Sequence, residues 1–254
     1  RIQRRKIRDR QEGAVTITRE MIQGTLKEPI RPRQVNPDDA IGEMLGVGVD
    51  LERGVGSVIP IQASHMGAVS TESGRQKGFL SVVHATGNIE RVMDESRKVA
   101  TTGIFSCADE MGIPYQRADE PIHLHFMGGS TRKDGPSAGG AIALALASLL
   151  AGRKIRRDVA MTGEIDTKGR ITGIGALALK IETSCNSGCR TLIIPTENLT
   201  GAEGIERLPA ALKEELQVLT YDEWKDPHKP FDWSRHILEV VAVVAASAFE
   251  DGAL

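Results

Sequence analysis

Two spacings of apolar residues alternate along the 254 positions of this chain. Between Ile41 and His84, short β-like runs are set off by glycines: Gly46-Val47-Gly48-Val49, Gly56-Ser57-Val58-Ile59-Pro60-Ile61 and Gly78-Phe79-Leu80-Ser81-Val82-Val83. They predict two or three twisted strands joined by tight turns. From Ile89 to Glu110 the apolar residues fall at 89, 92, 93, 99, 100, 104 and 107–108, which is helical spacing. His123–Phe126 alternates like a strand, and after a glycine-rich loop a helix is predicted over 137–151, apolar on every side. Strands at Asp158–Ile165 and Gly169–Ile174 are predicted to form a hairpin around Asp166-Thr167-Lys168. A helix from Leu177 to about Cys185, a strand at Thr191–Ile194, a strand near Leu216–Thr220 and a last helix from Ser234 complete the pattern. Interleaved strands and helices place the chain in the α/β or α+β class with a mixed sheet.

Upstream the text is different. Arg1 to Arg10 holds six basic residues, and Thr18–Leu26 carries Met21, Ile22 and Leu26 on one helical face with Thr18 as N-cap. Pro29, Pro32 and Pro37 then break the pattern, so a linker is placed at about 28–38 and a separate unit begins near Asp39.

Composition narrows the class. At 40% hydrophobic and 26% charged residues the chain has material for a core, which excludes disordered, collagen-like and disulfide-scaffold proteins. Only 4% of residues are aromatic against 27 glycines, so Ala, Val, Ile and Leu must fill the interior and backbones must approach closely. A net charge of −2 gives no argument for nucleic acid or an anionic membrane. Three cysteines make no disulfide framework and point to a reducing cytoplasm. Ala138–Ala151 is the most apolar stretch, but 14 residues of helix reach only about 21 Å, short of the roughly 30 Å hydrocarbon core. The chain starts at Arg1 rather than Met, and a fragment of a longer chain is expected.

Candidate chemistry concentrates in Gly128-Gly129-Ser130-Thr131-Arg132-Lys133-Asp134-Gly135-Pro136-Ser137-Ala138-Gly139-Gly140, which joins a strand to the buried helix. Ser137 falls at the helix start, where unpaired N–H groups and the positive dipole end favour negative charge. It reads as an N-cap, as a nucleophile whose oxyanion meets preorganised donors, or as part of a phosphate cradle. The Walker pattern is absent. Gly135-Pro136-Ser137-Ala138-Gly139 satisfies the nucleophile-elbow spacing, but the histidines downstream are only His228 and His236, in a polar turn and on the terminal helix. A hydrolase triad with histidine as base is therefore unfavoured. Lys180 stands alone in the apolar stretch Gly175-Ala176-Leu177-Ala178-Leu179-Lys180-Ile181. Burial there disfavours the ammonium and would tune the amine toward a base, unless it snorkels to water.

Lys133-Asp134-Gly135-Pro136-Ser137-Ala138-Gly139, Val159-Ala160-Met161-Thr162-Gly163-Glu164-Ile165 and Gly169-Arg170-Ile171…Ile174-Gly175…Leu177…Lys180 resemble the proteolytic domain of Lon proteases in order and spacing. The 43 positions between Ser137 and Lys180 are the separation expected of that family's Ser–Lys dyad. Ile122-His123-Leu124-His125, Gly87-Asn88-Ile89…Val92-Met93-Asp94-Glu95-Ser96 and Thr191-Leu192-Ile193-Ile194-Pro195…Glu197-Asn198 extend the resemblance over about residues 41–200. It implies a Lon-type α/β (α+β) fold of mixed sheets and packed helices, similar to the second-domain fold of ribosomal protein S5, over 39–254. Residues 1–38 are then the C-terminal tail of an upstream helical, AAA+-like subdomain plus a linker.

The resemblance also assigns roles. Ser137 is the nucleophile and Lys180 the base of a serine endopeptidase that forms an acyl-enzyme. Thr162 orients the lysine amine, and Asp134, Gly135 and Pro136 belong to the loop that carries the oxyanion donors and opens or closes the site. It implies unfolded or damaged proteins as substrates, a homo-oligomeric ring of six subunits, and a cytoplasmic location with neither membrane nor nucleic acid as partner. No cofactor or metal is implied in this domain; ATP and Mg would act through an upstream ATPase module. The family commonly shows Gly-Gly-Leu-Lys-Glu-Lys where this chain has Gly175-Ala176-Leu177-Ala178-Leu179-Lys180, so charges beside the lysine are lost. Cys185 and Cys189 read as unpaired thiols, and His123 and His125 as packed or hydrogen-bonded histidines rather than zinc ligands. Two other readings remain open: a phosphate-binding module like those of small-molecule kinases, and a catalytically inactive Lon-like scaffold.

Overall fold

Among the described residues, two helices on one face and one on the other cover a seven-stranded sheet, and these helices are placed where the apolar spacing is densest. The structure is a computed structural model, and it describes residues 38–66, 83–106, 121–128, 133–167, 170–200, 204–208 and the backbone of 217–220. Expectations for residues 1–37, the strand at Gly78–Val82 and the helix from Ser234 lie outside the described residues, as do His228 and His236.

The described strands are β1 (Ala40–Ile41), β2 (Glu43–Asp50), β3 (Val55–His65), β4 (Val83–Thr86), β5 (Ile122–Phe126), β6 (Lys154–Ile155), β7 (Val159–Met161), β8 (Glu164–Ile165), β9 (Ile171–Thr172), β10 (Thr191–Ile194) and β11 (Gln217–Thr220). The helices are α1 (Arg91–Ser106), α2 (Gly139–Ala151) and α3 (Leu177–Asn186). The large sheet runs β11-β10-β7-β2-β3-β5-β4. β2 and β3 form an antiparallel hairpin paired from Glu43↔Gln62 to Asp50↔Val55, while β7 lies parallel to both β2 and β10. The sheet is therefore mixed, as expected.

Strand alternation decides which helix each side chain meets. Ile59, Ile61 and Ala63 of β3, with Ile122, Leu124 and Phe126 of β5, join α1 and α2 in one core. Leu45 and Val47 of β2, with Ala160, Leu192 and Ile194, face the other way and meet Leu177 and Ile181 of α3. Each such Leu or Ile contributes about 1.5–3 kcal/mol when fully buried. α2 is buried along its whole length from Gly139 to Leu150, which its uniformly apolar text requires, and Gly152 ends it in the left-handed conformation at φ 66°.

Three details differ from the sequence expectations. The run 158–165 is not one strand. β7 stops at Met161 inside the large sheet: Thr162 N still donates to Ile193 O of β10, but Gly163 N donates to Ser137 O, outside the sheet, and the chain leaves the ladder there. Only Glu164–Ile165 pairs with Ile171–Thr172 as a short hairpin. The helix expected at 137–151 begins as a 3-10 turn at Pro136–Ala138, with α geometry from Gly139. The helix expected from Ile89 begins at Arg91, since Ile89 bridges to Lys133. The two-residue pairing of β1 with β6 was not anticipated.

Candidate active site

Ser137 lies inside the 3-10 turn ahead of α2 and is half-buried. Its carbonyl is anchored by Gly163 N at 2.8 Å and Thr162 Oγ1 at 3.4 Å, and Gly140 N returns a bond to Gly163 O at 3.0 Å. Small residues make this approach possible: a Cβ at Gly139 would stand 2.7 Å from Ile165 Cγ2, and one at Gly163 would stand 2.5 Å from Ile171 Cγ2. The N-cap reading of Ser137 fails. The cap positions are Gly135 for the turn and Ala138 for α2, and neither helix start is closed by a side-chain hydrogen bond. The Ser137 hydroxyl is left for other chemistry.

Lys180 arrives from the opposite face of the sheet on α3. The segment leading into that helix is clamped by Asn198, which accepts from Ile174 N and donates to Ile174 O, both at 2.8 Å. Glu197 accepts from Gly173 N at 2.6 Å. Ala176, at φ 57°, turns the chain into α3, and Leu177 and Ile181 bury its inner face. Lys180 shares that face and is 3% exposed. Its Nζ does not snorkel to water; it donates to Thr162 Oγ1 at 3.0 Å. Burial brings the amine down from 10.5 to about 8. The ammonium still predominates at neutral pH, but the neutral form, which alone can accept a proton, is about a tenth of the population at pH 7 instead of well under a thousandth.

Thr162 joins the two groups. It is fully buried at the end of β7, accepting from Lys180 Nζ and donating to Ser137 O through one hydroxyl. Ser137 and Lys180 are linked through Thr162 rather than by a direct hydrogen bond. Of the four residues before Ser137, three are tied to groups outside their own run. Lys133 Nζ donates to Gly87 O at 2.8 Å and Gly128 O at 2.7 Å, and Asp134 Oδ1 accepts from Met93 N at 3.1 Å. Ser96 Oγ donates to Pro136 O at 3.0 Å. Gly135 has φ 113°, and a Cβ there would meet nothing within 4 Å. Ser137, Lys180, Thr162, Asp134, Gly135 and Pro136 are therefore brought to one region. Sequence reasoning gave no role to Lys133, Ser96, Glu197 or Asn198, although all four lie within the motifs it singled out.

The remaining candidates lie elsewhere. His123 Nε2 and His125 Nδ1 both hydrogen-bond Thr86 Oγ1, at 2.9 and 2.7 Å. Neither Cys185, in the last turn of α3, nor Cys189, just past it, is in a disulfide, and burial pushes Cys189 up to about 12. Among the described residues no three His, Cys, Asp or Glu side chains group as a metal site, and no helix is long and apolar enough to cross a membrane.

Comparison with known proteins gives one family. Residues 16–228 match the model of the Lon protease (S16) C-terminal proteolytic domain. The chain is 35% identical over 214 residues to a Lon protease of Haemophilus influenzae, covering 80% of this chain and 26% of that protein. It is 33% identical over 219 residues to a Lon protease of Citrifermentans bemidjiense, covering 83% and 26%. With Lon protease 1 of Thermus thermophilus the identity is 40% over 137 residues, covering 54% and 17%. The chain thus spans about a quarter or less of the length of these relatives.

Proposed function

This chain belongs to the Lon protease (S16) family through its C-terminal proteolytic domain, and from that premise we propose that it is an endopeptidase working through Ser137 and Lys180. Ser137 Oγ attacks the scissile carbonyl while neutral Lys180 Nζ takes the hydroxyl proton. The resulting oxyanion is held by backbone N–H groups of the loop ending at Ser137. The lysine ammonium then gives its proton to the departing amine, leaving an acyl-enzyme on Ser137. Water, losing a proton to the regenerated neutral lysine, hydrolyses that ester and restores the serine. Thr162 orients the amine through its hydroxyl, and Asp134, Gly135 and Pro136 shape the donor loop.

The observation that carries this reading is a lysine at 3% exposure whose amine, held at about 8, is hydrogen-bonded to the residue that also anchors Ser137. A phosphate cradle does not call for a desolvated amine on a separate helix. Unfolded or damaged proteins are the substrates of this reading, in a cytoplasmic ring of six copies, with ATP coupling supplied by residues outside this domain. Ser137→Ala should abolish cleavage of an unfolded protein with the fold retained. Undiminished cleavage in that variant refutes the assignment.

A further inference from the structure

Four of the five residues from Lys133 to Ser137 are tied to groups outside the loop, and two of those ties come from the start of α1. Met93 N binds Asp134 Oδ1, and Ser96 Oγ binds Pro136 O. Three residues apart on the helix, both groups lie on the side of α1 that meets the loop. Between the two ties stands Gly135, which has no side chain to hold it in place.

The Ser96 bond is unusual for its helix. Thr101 and Thr102 on α1 donate back to Arg97 O and Lys98 O, the ordinary use of a hydroxyl within a helix. Ser96, 6% exposed, donates across to the loop instead. Its oxygen comes so near that a Cβ at Gly139 would stand 2.9 Å from it. The direction of the Pro136 carbonyl matters because a trans peptide is planar, so its C=O and the N–H of Ser137 point opposite ways. Holding the oxygen against α1 aims the Ser137 N–H away from α1. Gly139 N also donates to Pro136 O, but from within the same turn, so it moves with the turn and fixes no direction from outside.

We propose that Ser96 is a positioning residue of the peptidase reaction: its hydroxyl holds the Pro136 carbonyl and thereby keeps the Ser137 N–H aimed as an oxyanion donor. The inference rests on the reading of Ser137 as nucleophile. An oxyanion donor counts only in the tetrahedral state, so losing its alignment lowers turnover and leaves ground-state binding alone.

The test uses the full chain as wild type, Ser96→Ala, Ser96→Cys and Ser137→Ala, assayed on an unstructured fluorogenic peptide. Binding of a peptide boronic acid, whose adduct with a serine is tetrahedral, is compared with binding of the same peptide as its carboxamide. Ser96→Ala is expected to lose about tenfold in kcat with KM within about twofold, and about tenfold in boronate affinity, with carboxamide affinity unchanged; complete removal of an oxyanion donor costs about 10²–10³. Ser96→Cys, a weak donor of similar size, should fall between wild type and alanine, and it carries the same comparison if the alanine variant does not fold. Unaltered kcat and boronate affinity in both Ser96 variants overturns the proposal. Equal loss of boronate and carboxamide affinity also overturns it, because that marks general loosening of the site. Ser137→Ala separates the two claims. If it is as active as wild type, the nucleophile assignment falls and Ser96 with it; if it is inactive while the Ser96 variants are unaltered, only the Ser96 role falls.

Discussion

Burial of Lys180 sets activity against stability, and Lys180→Met tests both. In the unfolded chain the amine titrates near 10.5; in the folded protein burial lowers this to about 8. At neutral pH the folded state therefore holds an ammonium it would shed far more readily than the unfolded chain does. A fall from 10.5 to about 8 corresponds to a penalty on the order of 3 kcal/mol, at about 1.36 kcal/mol per unit. The penalty is full below about pH 8, where both states are protonated. It shrinks as pH rises from about 8 to 10.5, where the unfolded chain binds the extra proton, and is gone above that. Methionine fills most of the same volume without charge. It loses the bond to Thr162 Oγ1, worth about 1–1.5 kcal/mol, so the net gain at pH 7 is about 2 kcal/mol. Urea unfolding of Ser137→Ala and Ser137→Ala/Lys180→Met at pH 7, 9 and 10.5 measures this without self-digestion. The methionine chain should be the more stable at pH 7 and lose that lead by pH 10.5. A methionine chain less stable at pH 7, or a lead independent of pH, refutes the account of Lys180 as a desolvated amine.

Three further outcomes are expected. In the active chain, kcat/KM should rise with pH along one ionisation near 8, by about tenfold per unit below it, as the neutral lysine is populated; a stopped-flow or fluorogenic pH profile flat from 6 to 9 would contradict this. Ala176→Gly should stabilise by roughly 0.5–1 kcal/mol, because an alanine at φ 57° and ψ 38° carries left-handed strain that glycine does not; a thermal midpoint raised by a few degrees checks it. Asn198→Ala should destabilise by about 2–4 kcal/mol, since Ile174 N–H and C=O both lose their partner in a buried setting. It should also slow turnover by loosening the entry to α3; denaturant midpoints and kcat read the two effects.

Legibility in the sequence followed locality. The periods behind β2, β3, β5, α2, α3 and β10 are carried by neighbouring residues, and each element formed within a few positions of where its pattern placed it. The split of the run 158–165 was not legible, because what takes the chain out of the ladder after Thr162 is the bond from Gly163 N to Ser137 O, a residue distant along the chain. β1 and β6 are two-residue strands, too short to show any period. At the site, Ser137, Lys180 and Thr162 stood out through motif spacing. The clamps by Ser96, Lys133 and Asn198 did not, since a serine on a helix or an asparagine after a strand has many ordinary uses.

The text by itself determined the class of fold and the helix that must be buried whole, and it singled out the residues proposed as nucleophile and base, because residue type and spacing are read along the chain. Only the tertiary structure decided that the lysine is dry and that Thr162 stands between it and the serine. Desolvation is imposed by β7, α3 and the sheet closing together around one amine, and no stretch of sequence contains that closure.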